Sequence, residues 1–348
     1  MPAKLSCVLP AVVLAVLCLP LPGTAASADA SPRMQAVAVA TALWNARERA
    51  LDTNDLSLLR RIEDGSALLG DTYGAQIFAG GFAPPYWTQG ARIVRSVQVW
   101  VPTPTGFPRY FMAGINAAPA GAPGNPTGLT ALLVITRAGA GRPWRITSRI
   151  YDGGYQGGPG ATFGTAAFGS DGYDLPPTSP DASVAKRWTS QLVAYYTHLK
   201  DAGTPPPHTP FVSSPLTTGT DLTVRRQGYT ANGTVAHYRF TIGDGPWVTN
   251  SDGRPIVCAD IREDVLEQPL LPGFVFHQPS DRSVWDPTVP PGYYSSMMTT
   301  YDWPACIFPL NTGGLGVSGT MDFVVAVRGT PARPPRVVPP SYPQPVLA

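Results

Sequence analysis

Residues 129–151, LTALLVITRAGAGRPWRITSRIY, constrain the fold of this chain most strongly. They read as two strands joined by a loop containing Gly and Pro. Residues 129–135 are apolar at nearly every position, the pattern of a strand covered on both faces. From Trp144 the chain alternates: Trp144, Ile146, Ser148 and Ile150 are expected on one side, and Arg145, Thr147, Arg149 and Tyr151 on the other, because strand side chains repeat every second residue. Behind Tyr151 the composition falls away into Gly, Pro and Ser, so this hairpin is expected to close a first domain.

The chain has 348 residues, enough for two ordinary domains. Its 40 Pro and 36 Gly call for much loop and linker. Charged residues make up only 14%, and the formal net charge is +2. That balance gives no case for nucleic acid, which needs a basic face to displace counterions from phosphates.

The first residues read as a cleaved export signal. Lys4 precedes an apolar run over residues 8–21, and Ala26-Ser27-Ala28 supplies an Ala-x-Ala cleavage pattern ending at Ala28. The run is too short to span a bilayer, which takes about 20 apolar residues. Nothing later in the chain is long and apolar enough to cross a membrane, so no transmembrane anchor is expected after cleavage. A lipid anchor at Cys18 is disfavoured by bulky Leu17, where a small residue is required. The expected location is therefore extracytoplasmic, secreted or in the cell envelope. Removing the signal leaves Cys258 and Cys306. In an oxidising compartment they read as one disulfide, with a pair of buried free thiols as the alternative.

Ser31-Pro32 opens a helix running to about Leu51, with Val37, Ala40, Thr41, Trp44 and Leu51 near one face. A second helix is expected over residues 56–63 with Gly65 as its stop. A third short piece is expected over 66–69, resuming after Gly70 as far as Phe78. An aromatic loop with Phe82, Tyr86 and Trp87 follows, then a hairpin over 93–101 and 109–115. Residues 152–178 read as a Gly- and Pro-rich linker. They contain no Gly-Lys-Ser/Thr phosphate loop and no dinucleotide fingerprint.

Ser179-Pro180 repeats the opening device. The helix behind it carries Val184, Trp188, Leu192, Tyr195 and Leu199 on one stripe and stops at Gly203. Strands are expected again at 222–229, 234–242, 257–267 and 321–328, and a Pro-rich tail at 329–348. The division is a signal peptide at 1–28, domain one at 31–151, a linker at 152–178, a divergent second copy at 179–328, and the tail.

A capped long helix, shorter helices and then long antiparallel strands resemble the NTF2-like (SnoaL-like, cystatin-like α+β) superfamily. That resemblance covers residues 34–151 and, less closely, 180–328. The 44–61 helical stretch, the hairpin ending GRPWRITSRI, and HYRFTIGDGP at 237–246 also resemble a two-domain family of secreted actinobacterial proteins of unknown function. The resemblance implies two tandem α+β domains, each a long helix packed on a curved antiparallel sheet with a cone-shaped pocket between. Acids and tyrosines near the position of Asp71 and Tyr73 act on ligands in pocket-forming relatives. No fixed motif accompanies them here, so no catalytic residue is assigned.

Other chemistry finds little support. His198, His208, His237 and His277 have no metal-ligand spacing, and no Gly-x-Ser-x-Gly elbow is present. His198 is expected to complement a helix end and His237 to face solvent. Asp260, Arg262, Glu263 and Asp264 are expected to form the solvated face of a strand, with a general-base site as the alternative reading. No cofactor or metal is implied. The expected function is a secreted, non-catalytic binding or interaction protein, its partner an extracytoplasmic protein or an apolar small molecule. The alternative is a secreted enzyme using a cone pocket for acid–base chemistry. A third possibility is an envelope scaffold.

Overall fold

The computed structural model describes residues 32–79, 92–102, 107–119, 130–151, 182–212, 217, 233–251, 254–278, 288–310, 313–319 and 323–334. The signal segment with Ala28 and Cys18, the linker at 152–178, the aromatics Phe82, Tyr86 and Trp87, the strand expected at 222–229 and most of the Pro-rich tail lie outside them.

The first half opens with α1 (Pro32–Asp52), α2 (Leu56–Ile62) and α3 (Gly65–Ala79). Asp55 caps α2 by accepting from the Leu58 N–H at 2.9 Å. Gly65 does not merely stop α2. It begins α3, its N–H donating to Asp64 at 2.9 Å, and α3 runs unbroken through Gly70 where two pieces were expected. Four strands follow, β1 (Arg92–Trp100), β2 (Arg109–Pro119), β3 (Ala131–Arg137) and β4 (Arg145–Tyr151). They form an antiparallel sheet in sequence order.

The second half has one long helix, α4 (Ala182–Ala202), and then seven strands. These are β5 (Thr234–Ile242), β6 (Trp247–Ser251), β7 (Arg254–Pro269), β8 (Phe276–Gln278), β9 (Gly292–Pro309), β10 (Leu315–Gly319) and β11 (Phe323–Pro331). The seven occupy four ladder positions. β5 and β6 line one edge of β7 in succession. β7 and β8 follow each other along one edge of β9, and β11 and β10 line its other edge. The result matches the first half in outline: a long helix followed by an antiparallel meander.

The two sheets face each other, with helices outside. On β3, Ala131, Leu133 and Ile135 join the cluster under α1, while Leu132 and Val134 join Trp247, Ile256, Cys258 and Cys306 of the second sheet. This is why the strand is apolar on both faces. On the far side Val257, Ile261 and Val265 of β7 pack against Trp188, Leu192, Tyr195, Tyr196 and Leu199 of α4, the stripe expected from the sequence with Tyr196 added. α3 packs on both β4 and β11 and so ties the halves together. Tyr110 adds a polar tie, its hydroxyl donating to the Val248 carbonyl at 2.6 Å and accepting from the Val248 N–H at 2.9 Å. No helix among the described residues is long and apolar enough to cross a membrane.

Two expectations need correction. The alternation along β4 breaks between Ile146 and Ser148, where Thr147 is an extra residue against β3. The bulge turns the strand over. Ile146 and Trp144 pack on the α1 side, whereas Ile150 packs on the second sheet. Trp144, Ile146, Ser148 and Ile150 therefore do not share a face.

The longest strand, β9, was not expected at all. It is buried on both faces and so carries no two-residue period, and Pro304 argues against a central strand. The structure explains that proline. Asp260, its partner on β7, spends its backbone N–H and C=O on Asp244 and Gly243, away from β9. The imino nitrogen of Pro304 therefore faces the other edge. There the β10 ladder ends at Ala305 and the β11 ladder begins at Asp302.

Cys258 and Cys306 lie directly opposite each other on β7 and β9 and form a disulfide 48 residues apart. Replacing both by serine is expected to cost about 2–4 kcal/mol. Thermal melts with and without reductant check this: an unchanged wild-type Tm would mean that the bridge contributes nothing.

Candidate functional site

Two buried polar clusters meet where the α2–α3 corner crosses β4. Helical spacing makes the first. Ala36, Ala40, Leu43, Trp44 and Arg47 fall on the buried stripe of α1, which brings a guanidinium under the sheet. Its Nε and Nη2 donate to the two oxygens of Asp71 on α3 at 2.6 and 3.0 Å. Nη1 donates to Glu48 at 2.6 Å, and the other Glu48 oxygen accepts from the Arg92 N–H at 2.9 Å. Arg149 reaches the same Asp71 from β4, its Nη1 2.6 Å from Oδ2. Glu63, just past the end of α2, is fully buried with its carboxyl 3.5 Å from the Arg47 Nε.

The charges set the protonation states. Burial alone would raise the Asp71 pKa, but the Arg149 and Arg47 guanidiniums outweigh it and hold the carboxyl well below its usual range. Glu63 goes the other way. Burial first and the Asp71 charge second push it well above the usual range, against the pull of both arginines. With Glu63 neutral, two cations face two anions, Asp71 and Glu48. Ionising Glu63 would leave an uncompensated buried charge.

The second cluster sits between the sheets. Asp260 on β7 is fully buried, with the Ser148 hydroxyl 2.5 Å from Oδ1 and the Ser66 hydroxyl 2.5 Å from Oδ2. Ser66 lies in the first turn of α3, and its N–H donates to Asp244 at 3.0 Å. Burial raises the Asp260 pKa well above the usual range; the two serine hydrogen bonds oppose this, and Asp302 and Asp244 add to it. The Ser66 Oγ lies within donating reach of both Asp260 Oδ2, at 2.5 Å, and the Thr147 carbonyl, at 3.2 Å, and has one hydrogen for the two; a protonated Asp260 would let Ser66 donate to Thr147 and accept from Oδ2. Asp302, on β9, is raised to about 6 by burial, against the ion pair that Arg262 makes with it at 3.3 Å.

The charged run on β7 is thus not a solvated face. Asp260 and Glu263 are both fully buried, on opposite sides of the strand. Glu263 has the parity of Ile261 and Val265 and lies under α4, where it accepts from the Trp303 indole at 2.8 Å. Alternation reveals which residues share a face; it does not reveal that a second sheet covers that face. Arg262, its side chain about one-third exposed, and Asp264, which pairs with the exposed Arg239 at 2.6 Å, are nearer what was expected.

Asp71 was singled out in the sequence, and it is the centre of the first cluster. Tyr73 is half-buried on the same helix. Arg47, Glu63 and Arg149 were missed, although an arginine on the buried stripe of α1 was a readable signal. His198, His208, His237 and His277 are all exposed, on separate elements, and His237 faces solvent as expected. His277 stacks on Tyr293 with ring centroids 4.6 Å apart. No family model matches this chain, and no curated protein matches it.

Proposed function

We propose that this is a secreted, non-catalytic binding or interaction protein built from two NTF2-like domains, its partner an extracytoplasmic protein or an apolar small molecule. A long helix followed by a four-position antiparallel meander, twice over, supports the domain reading. The observation that carries the non-catalytic reading is that three of the buried acids are spent on neighbouring side chains. Asp71 holds two arginines, Asp260 two serines and Glu263 an indole. A general acid or base must instead reach a substrate proton.

One observation favours the second reading, an enzyme doing acid–base chemistry in a cone pocket of the first half. Neither oxygen of the buried Glu63 carboxyl has a hydrogen-bond partner in the structure, and a raised acid of that kind is what proton transfer to a ligand uses. Native mass spectrometry of the protein exported by its host separates the two. The non-catalytic reading expects a chain beginning after Ala28, two hydrogens short for the disulfide, with any bound mass the same in wild type and Glu63→Gln. Extra mass carried by the Glu63→Gln protein alone would mean a ligand that the wild type consumes, and would overturn it. A retained leader would overturn export.

A further inference from the structure

In a four-strand meander the first and third turns lie at the same end. Here that end gathers Arg109, Arg137, Arg142 and Arg145, with Arg109 opposite Arg137 in the β2–β3 register. The Arg137 Nε donates to the Arg142 carbonyl at 2.8 Å, which folds the β3–β4 turn back over its own strand. Like charges opposite each other on neighbouring strands are unfavourable by themselves. Arg145 lies 3.9 Å from Asp64. The same end exposes apolar surface: Phe107 is 43% and Val101 37% exposed. The rings and cations interleave, with the Arg109 guanidinium 4.9 Å from the Phe107 centroid and that of Arg137 5.8 Å from the Trp144 centroid.

We propose that this end of the first sheet docks on an anionic phospholipid surface. Phe107 and Val101 enter the headgroup boundary, and the arginines meet lipid phosphates. A soluble polyanion would satisfy the arginines and leave Phe107 and Val101 in water, whereas a bilayer engages both. The inference adds a membrane surface to the protein or small-molecule partner proposed above and rests on that reading only for export. Its test is independent, because vesicle binding by the purified chain reports on the patch whatever mass spectrometry reports on export or bound ligand.

The experiment is co-sedimentation of the mature chain with vesicles of equal parts phosphatidylglycerol and phosphatidylcholine, against vesicles of phosphatidylcholine alone. Partition is expected into the anionic vesicles, falling as salt is added. Arg142→Gln with Arg145→Gln should lower it about twenty-five-fold, since each basic residue at such a surface is worth roughly fivefold. Phe107→Ser should weaken it while leaving the salt dependence intact. Equal partition into both vesicles, or into neither, would overturn the proposal. So would binding to heparin beads as strong as binding to anionic vesicles and unaffected by Phe107→Ser.

Discussion

Replacing Asp71 with asparagine is expected to cost about 3–5 kcal/mol, the range for removing one partner of a buried ion pair. The change keeps the shape and takes away the carboxylate on which Arg47 and Arg149 converge. Glu63→Gln should by contrast lie within about 1 kcal/mol of wild type, because an amide reproduces an acid that already holds its proton. The two sites are coupled. With Asp71 gone, Glu63 is the acid 3.5 Å from Arg47 and can ionise to replace it. The double variant should therefore be less stable than the sum of the singles, as contacting residues are rarely additive. Urea midpoints for the four proteins check this. Strict additivity, or Glu63→Gln as costly as Asp71→Asn, would show that the protonation assignments are reversed.

The second large effect is on pH dependence, and its sign is unusual. A group with a raised folded pKa keeps its proton after the unfolded chain has lost it. Its contribution is full below the unfolded value and disappears as pH climbs through the folded one. Asp302, at about 6, and Glu267, raised to about 7 by burial, place the loss between about pH 4 and pH 7. Asp260 and Glu63, also raised by burial, act in the same direction. Asp302 alone accounts for roughly 3 kcal/mol. Asp71, with its lowered pKa, works in the opposite direction and withdraws stability as pH falls below about 4. Stability should therefore peak near pH 4 and decline toward pH 8. Asp260→Asn can donate to Ser66 and accept from Ser148 like the neutral acid. It should match wild type at pH 5 and exceed it at pH 8. Denaturation midpoints that rise steadily from pH 4 to pH 8, or a variant weaker at every pH, would contradict the neutral acid.

The sequence was informative wherever one face of an element is apolar and the other is not. Ala182–Ala202 and the strand Thr234–Ile242 fall where caps and alternation put them. The double-sided coverage of residues 131–135 was readable from their composition, although not what does the covering. Legibility failed where position depends on a distant partner. The Thr147 bulge has no local signature, and Pro304 is tolerated only because two ladders are interrupted opposite it. The buried clusters failed for the same reason. Asp260 looks solvated until Ser66 and Ser148, from more than a hundred residues earlier, are brought against it. Arg47 and Asp71, 24 residues apart, meet only once the α2–α3 corner has formed.

The face-to-face sheets also bear on how the molecule is made. The face of the first sheet turned toward the second, with Met112, Leu132, Val134 and Ile150, is finished by Trp247, Ile256, Cys258 and Cys306. A chain emerging N-terminus first must hold that surface bare while more than a hundred further residues arrive, and its serines wait as long for Asp260. During that interval the nascent first half is a sticky intermediate needing a holdase, and truncation before residue 306 should yield aggregate rather than a smaller soluble protein.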